Sequence, residues 1–189
     1  MDEATRRAAG RAVRGAAFVL ASSYTNMGMG FVATVVLTRL LAPEDFGTVA
    51  LAAFLFGLLD LRTKLGLDYA FMHRQPTTDE LVASHLSLQL SLSVLGLLLA
   101  VSVRPLLAAW GYGAEVGHVV LALAGVGALE ASGMTARDLL EKDLRFGRST
   151  AVVTGALACS YLISILLAWK GFGYWSLVAG NAANVGLGA

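Results

Sequence analysis

Glu130 is the only acid placed well inside an apolar stretch of this 189-residue chain. Intramembrane carboxylates commonly serve as proton or cation sites, so Glu130 is a candidate for ion coupling. Its place near the end of its stretch also allows a pair with Arg137 or a reach to the interface. Ser22, Asn26, Gly30, Thr34 and Thr38 recur at every fourth position, a slowly drifting stripe of small or polar groups down one side of a helix. Two readings stand for it: close helix packing through small residues, or a cavity wall offering hydroxyls and an amide to a polar ligand. Asn181 and Asn184, three apart, raise the same pair of readings. Asp60 precedes Lys64 by four residues, the spacing of a helical ion pair. His73, His85 and His118 share no spacing and read as interfacial, while the lone Cys159 reads as a small core residue. No nucleophile set, carboxylate pair, phosphate loop or metal-ligand cluster is present in the sequence. The expectation is a protein that is not an enzyme and uses neither cofactor nor metal.

The elements that must carry these residues follow from composition. Hydrophobic residues make up 57% and charged residues 14%, with a mean hydropathy of +0.69, against about a quarter charged in soluble proteins. A bilayer core needs roughly 20 apolar residues per helix. Six windows qualify: Gly15–Thr38, Ala42–Leu61, Ser84–Val103, Val116–Met134, Ser149–Trp169 and Phe172–Gly188. The prolines punctuate them, with Pro43 in the first turn of the second span, Pro76 in a polar loop and Pro105 after the third span. The segment Ser84–Ser93 alternates polar and apolar like a strand. An open strand in lipid leaves its backbone groups unpaired, so helix is expected there, with Ser84, Ser87 and Ser91 on one face. The predicted fold is all-α, a polytopic bundle of six transmembrane helices.

Basic residues set the orientation. Arg6, Arg7, Arg11 and Arg14 precede the first span, Arg62, Lys64 and Arg74 follow the second, and Arg137, Lys142, Arg145 and Arg148 follow the fourth. Only Arg39, Arg104 and Lys170 fall on the other side. Cytoplasmic loops are enriched in Lys and Arg, which predicts both termini in the cytoplasm. A cleaved signal peptide is disfavoured because the run Ala16–Ala21 is short and resumes after Ser22. Between the second and third spans, Gly66–Met72 reads as a short interfacial helix or re-entrant turn, and Thr78 or Asp79 as the cap of the next helix. Thr135–Arg148 sets Leu139, Leu140, Leu144 and Phe146 among charges, the pattern of an amphipathic helix on the cytoplasmic face. A net charge of +1 with scattered basic residues excludes nucleic acid as a partner.

Four motifs carry a resemblance. Thr38-Arg-Leu-Leu-Ala-Pro-Glu-Asp-Phe-Gly47 lies between the first two spans and Lys64-Leu-Gly-Leu67 follows the second. Leu139-Leu-Glu-Lys-Asp-Leu-Arg-Phe146 follows the fourth, and Gly171-Phe-Gly-Tyr-Trp-Ser-Leu-Val-Ala-Gly180 opens the sixth. In this order the chain resembles the Wzx-type O-antigen and exopolysaccharide flippases of the multidrug/oligosaccharidyl-lipid/polysaccharide exporter superfamily. The resemblance implies translocation of an undecaprenyl-diphosphate-linked oligosaccharide across the bacterial cytoplasmic membrane, for O-antigen, capsule or exopolysaccharide synthesis. Membrane lipids, and a polysaccharide polymerase or glycosyltransferase, are the implied partners. Family members have two six-helix lobes around a hydrophilic cavity and exchange access by rocking.

Under that resemblance the substrate and cavity candidates are Ser22, Asn26, Thr34, Arg39, Asn181 and Asn184. Arg39 matches the basic residue ending the family's first span, and Arg137 and Arg145 are the candidates in the cytoplasmic loop. Some lipid-precursor flippases place arginines inside the first span; none stands between Gly15 and Thr38. The sixth span reaches Ala189 without a polar flank, so the expectation is the N-terminal lobe of a longer protein, or a truncated frame. Two alternatives remain: a cation-coupled drug exporter of the same superfamily, or a noncatalytic membrane scaffold of a polysaccharide-assembly complex.

Overall fold

The computed structural model describes residues 3–60, 79–142 and 146–188. They form six helices and no strand: α1 (Glu3–Leu40), α2 (Pro43–Leu59), α3 (Asp79–Ala109), α4 (Ala114–Lys142), α5 (Phe146–Trp169) and α6 (Trp175–Gly188). The all-α reading holds. Stretches in four of them are long and apolar enough to cross a membrane: Leu20–Leu40, Val82–Ala109, Ala114–Ala131 and Thr150–Trp169. With 17 and 14 residues, α2 and α6 are shorter than these, about 25 and 21 Å against a hydrocarbon core of about 30 Å.

Helix α4 lies at the centre. Its Val116, Val119, Val120, Leu123 and Ala124 pack with Ala52 of α2, Ala100 and Leu107 of α3, and Val178 of α6. Against the opposite side of α6 lies α5, and α1 reaches the bundle through α5, where Leu37 and Leu41 meet Ala168. Burial follows this order, with 44% of the apolar window of α4 buried and 11% of that of α1. The outward side chains are apolar, among them Phe31, Phe54, Leu98 and Leu162. In lipid such surfaces carry no solvation penalty, so packing contacts and backbone pairing hold the helices together.

Two turns at one end of the bundle share a design. After α3, the Gly111 N–H reaches the Ala108 carbonyl and the Tyr112 N–H reaches that of Leu107; after α5, Gly171 and Phe172 repeat this with Ala168 and Leu167. This is the Schellman closure, which needs a left-handed residue one position past the cap. Gly111 and Gly171 supply it, with φ of 83° and 82°. Exposed Trp110, Tyr112, Trp169, Phe172 and Trp175 cluster at these turns, as aromatic residues do at a membrane–water boundary.

Two sequence expectations change. Pro105 lies inside α3 rather than after it. Near a helix end its missing N–H costs one bond, and the bond from the Tyr112 N–H to Leu107 still closes the turn. Residues 135–142 continue α4 instead of forming a separate surface helix; no proline interrupts that run, and the leucine spacing suits an uninterrupted helix. The Gly66–Met72 element, Lys64 and Thr78 lie outside the described residues.

Candidate functional site

The α1 stripe divides in two. A four-residue repeat advances about 40° beyond a full turn at each step, so residues 22 and 38 face directions about 160° apart. Asn26 and Gly30 lie on the seam against α5, in line with buried Ala33 and Leu37. A Cβ on Gly30 would come within 2.9 Å of the Tyr161 hydroxyl. The Asn26 side-chain oxygen Oδ1 is buried without a hydrogen-bond partner among the described residues, as is the Thr154 hydroxyl on α5. Ser22 is half-buried. Thr34 and Thr38 have rotated out of the seam and are exposed, and their hydroxyls donate to the carbonyls of Gly30 and Val35. A hydroxyl that donates inward keeps lone pairs for an incoming donor. The exposed part of the stripe therefore presents acceptors.

Beside this seam Thr25, Gly28, Met29, Val32, Ala33, Ala158, Tyr161, Leu162 and Ile165 line a groove of about 490 Å³. Gly30 leaves room for the Tyr161 hydroxyl at its edge. Gly30→Ala is expected to cost about 1 kcal/mol, because a ring terminus can shift where backbone cannot. Combined with Tyr161→Phe the cost should nearly vanish, which a double-mutant cycle on thermal stability in detergent would read.

Between α5 and α6 the packing is closer. Ala156, Ser160, Ser164 and Ala168 repeat every four residues on α5, and Ser176, Gly180, Asn184 and Gly188 do so on α6. Gly188 sits over Ala156, and Gly180 faces Ser164 and the Ser160 carbonyl. That antiparallel register places half-buried Asn184 opposite buried Ser160, while Asn181 is exposed. The two asparagines do not share an environment.

A second polar face was missed in the sequence. The buried polar side of α3 is His85, Gln89 and Ser93, with Gln89 fully buried, whereas Ser87 and Ser91 are exposed and bonded to their own helix at Ser84 and Ser87. The strand-like alternation hid it, since His85, Gln89 and Ser93 are spaced by four within a run where every second residue is polar. His85 is buried in the bundle, His118 is exposed, and His73 lies outside the described residues. Cys159 is exposed on α5, not a core residue.

At the aromatic end, Asp45 joins the turn before α2 to the turn before α6. Its Oδ2 accepts the Ala42 N–H at 3.1 Å and its Oδ1 accepts the Tyr174 N–H at 2.9 Å. Gly173 leaves room for this, since a Cβ there would lie 3.0 Å from Oδ1. Two of the sequence motifs thus meet through one carboxylate. Arg39 is exposed nearby in the last turn of α1, where a cation complements the helix dipole.

The other candidates lie apart. Glu130 is exposed on α4. Arg137 belongs to the C-terminal part of α4, and Arg145 lies outside the described residues. The half-buried Asp60 closes α2, its N–H donating to Phe56. Among the described residues no group of three or more His, Cys, Asp or Glu is placed to hold a metal.

Residues 36–187 match the family model described as polysaccharide biosynthesis protein. The chain is 30% identical over 155 residues to the succinoglycan biosynthesis transport protein ExoT of Rhizobium meliloti (strain 1021), an alignment covering 82% of this chain and 31% of that relative. It thus spans about a third of the relative's length. No solved structure matches the chain. The match of residues 36–187 takes in α2 to α6 almost entire, and on it the chain, a multi-pass membrane protein, belongs to the polysaccharide biosynthesis protein family.

Proposed function

We propose that this chain is part of a transporter that moves an undecaprenyl-diphosphate-linked oligosaccharide across the bacterial cytoplasmic membrane for surface polysaccharide synthesis. The observation that carries this reading is the family match over residues 36–187, on a helical bundle with four membrane-length apolar stretches. The name of the 30% identical relative, a succinoglycan biosynthesis transport protein, supports the same direction.

In this reading the six helices form one lobe of a longer transporter, with both termini cytoplasmic and the aromatic end periplasmic. The eleven basic residues of the tail and of the second and fourth loops then face the cytoplasm. Thr34, Thr38 and Arg39 present polar groups on the exposed side of α1 to the sugar-bearing head group. Asn26 and Asn184 act from the helix seams and Asn181 from an exposed position. Glu130 is the coupling carboxylate, and Arg137 and Arg145 meet the anionic donor at the cytoplasmic face.

Deleting the full-length gene should abolish surface polysaccharide and leave lipid-linked repeat units accumulating in the cell. Complementation with the Glu130→Gln protein should restore export poorly if that carboxylate couples transport. Unchanged surface polysaccharide in the deletion strain would contradict the proposal.

A further inference from the structure

One cavity lies apart from the candidate site and from the residues the proposed function uses. Val101, Arg104, Pro105, Leu107 and Ala108 of α3, with Gly113, Ala114 and Gly117 at the start of α4, enclose about 360 Å³. Its lining is apolar apart from Arg104 and backbone. Arg104 is half-buried and, among the described residues, has neither a hydrogen-bond partner nor an ion-pair partner. Its side chain is laid against Gly117, where a Cβ would sit 3.3 Å from Cγ and 3.7 Å from Nε. Glycine at that position gives the arginine its bed.

A guanidinium held against an apolar wall is costly without an anion, and its planar fork suits phosphate oxygens. Glu115, the nearest acid along the chain, is exposed and pairs with nothing among the described residues. The level in the membrane narrows the choice of anion. Arg104 stands six residues before Trp110, about 9 Å along the helix, and Trp110, Tyr112 and Trp169 mark the boundary where lipid head groups lie. The flank is open toward lipid, since Val101 and Leu106 are exposed beside the cavity. Pro105, without an N–H, leaves the Val101 carbonyl lacking its usual helical donor on the same wall. That carbonyl can accept from a hydroxyl.

We propose that this cavity binds the phosphate group of an anionic membrane lipid, with Arg104 as its cationic contact and the apolar wall against the upper acyl chain. The site is independent of the transport reading. It asks for a phosphodiester carrying hydroxyls, the chemistry of phosphatidylglycerol.

Native mass spectrometry of the full-length protein, with circular dichroism to verify folding, tests this with three probes: phosphatidylglycerol, diacylglycerol of the same acyl chains, and inorganic phosphate. The wild type should retain phosphatidylglycerol about tenfold better than diacylglycerol, and Arg104→Gln should lose about that factor. Arg104→Lys keeps the charge without the fork and should fall between them, about threefold below wild type. Equal retention by wild type and Arg104→Gln would overturn the proposal. So would equal retention of diacylglycerol, or inorganic phosphate displacing the lipid at matched concentration, which would mean a site for the free ion. If Arg104→Gln does not fold, the lysine variant decides: a drop of about threefold supports the site and wild-type retention refutes it.

Discussion

Leucine at position 180 is expected to separate α5 from α6 and to destabilise the protein by about 3 kcal/mol or more, near the upper end of overpacking costs. The reason is the nature of the neighbours. A Cβ on Gly180 would collide with the Ser164 hydroxyl and would lie 3.0 Å from the Ser160 carbonyl oxygen and 3.1 Å from the Ser164 Cβ. The hydroxyl can turn away; the carbonyl and the Cβ are fixed to the helix. Alanine at position 180 should therefore be costly as well, by about 1–3 kcal/mol. Ser164→Gly in the same protein should recover only part of the loss, because the Ser160 carbonyl remains. Thermal unfolding of the full-length protein in detergent would measure all three. A Gly180→Leu protein as stable as wild type would mean that the two helices are not in the described register.

Removing the Asp45 carboxylate is expected to cost about 2–4 kcal/mol: it accepts from two backbone N–H groups at about 1.5–3 kcal/mol each, and the bond to exposed Ala42 is weakened by solvent. Asp45→Ala leaves the N–H groups of Ala42 and Tyr174 without this acceptor. Asp45→Asn retains one oxygen, and its amide nitrogen cannot accept, so about half the loss is expected. The contrast matters because Asp45 bridges 129 residues of sequence and fixes how the start of α6 sits beside the start of α2. If Asp45→Ala and Asp45→Asn were equally destabilised, or neither were, the bridge would not be the stabilising contact.

The helices were readable in the sequence because their apolar runs exceed anything a soluble fold requires, and because Pro43, Pro105, Gly111 and Gly171 stand at or near their ends. The faces were less readable. The Ser22-to-Thr38 stripe looked continuous in the sequence, yet the drift of a four-residue repeat sends Asn26 into the α5 seam and Thr34 outward. Small residues at spacing four on α5 and α6 were available as a packing signal, but nothing local says that Gly180 meets Ser164. Asp45 was visible only as an acid in the first turn of a helix, where a dipole explanation suffices; its bond to Tyr174 is a property of the tertiary arrangement. His85 and Gln89 were concealed by the alternating pattern around them. Arg104 drew attention only as one of three basic residues on the less basic side, and its seat against Gly117 required the helix pair.

Translocation itself is the most direct test of the central proposal. Full-length protein would be reconstituted in liposomes carrying an undecaprenyl-diphosphate-linked oligosaccharide with a terminal sugar that an added glycosidase can remove. Transport predicts that the fraction of oligosaccharide protected from external enzyme changes with time in protein-containing vesicles and stays constant in empty ones. A protected fraction that remains the same in both would contradict a role in moving lipid-linked oligosaccharide.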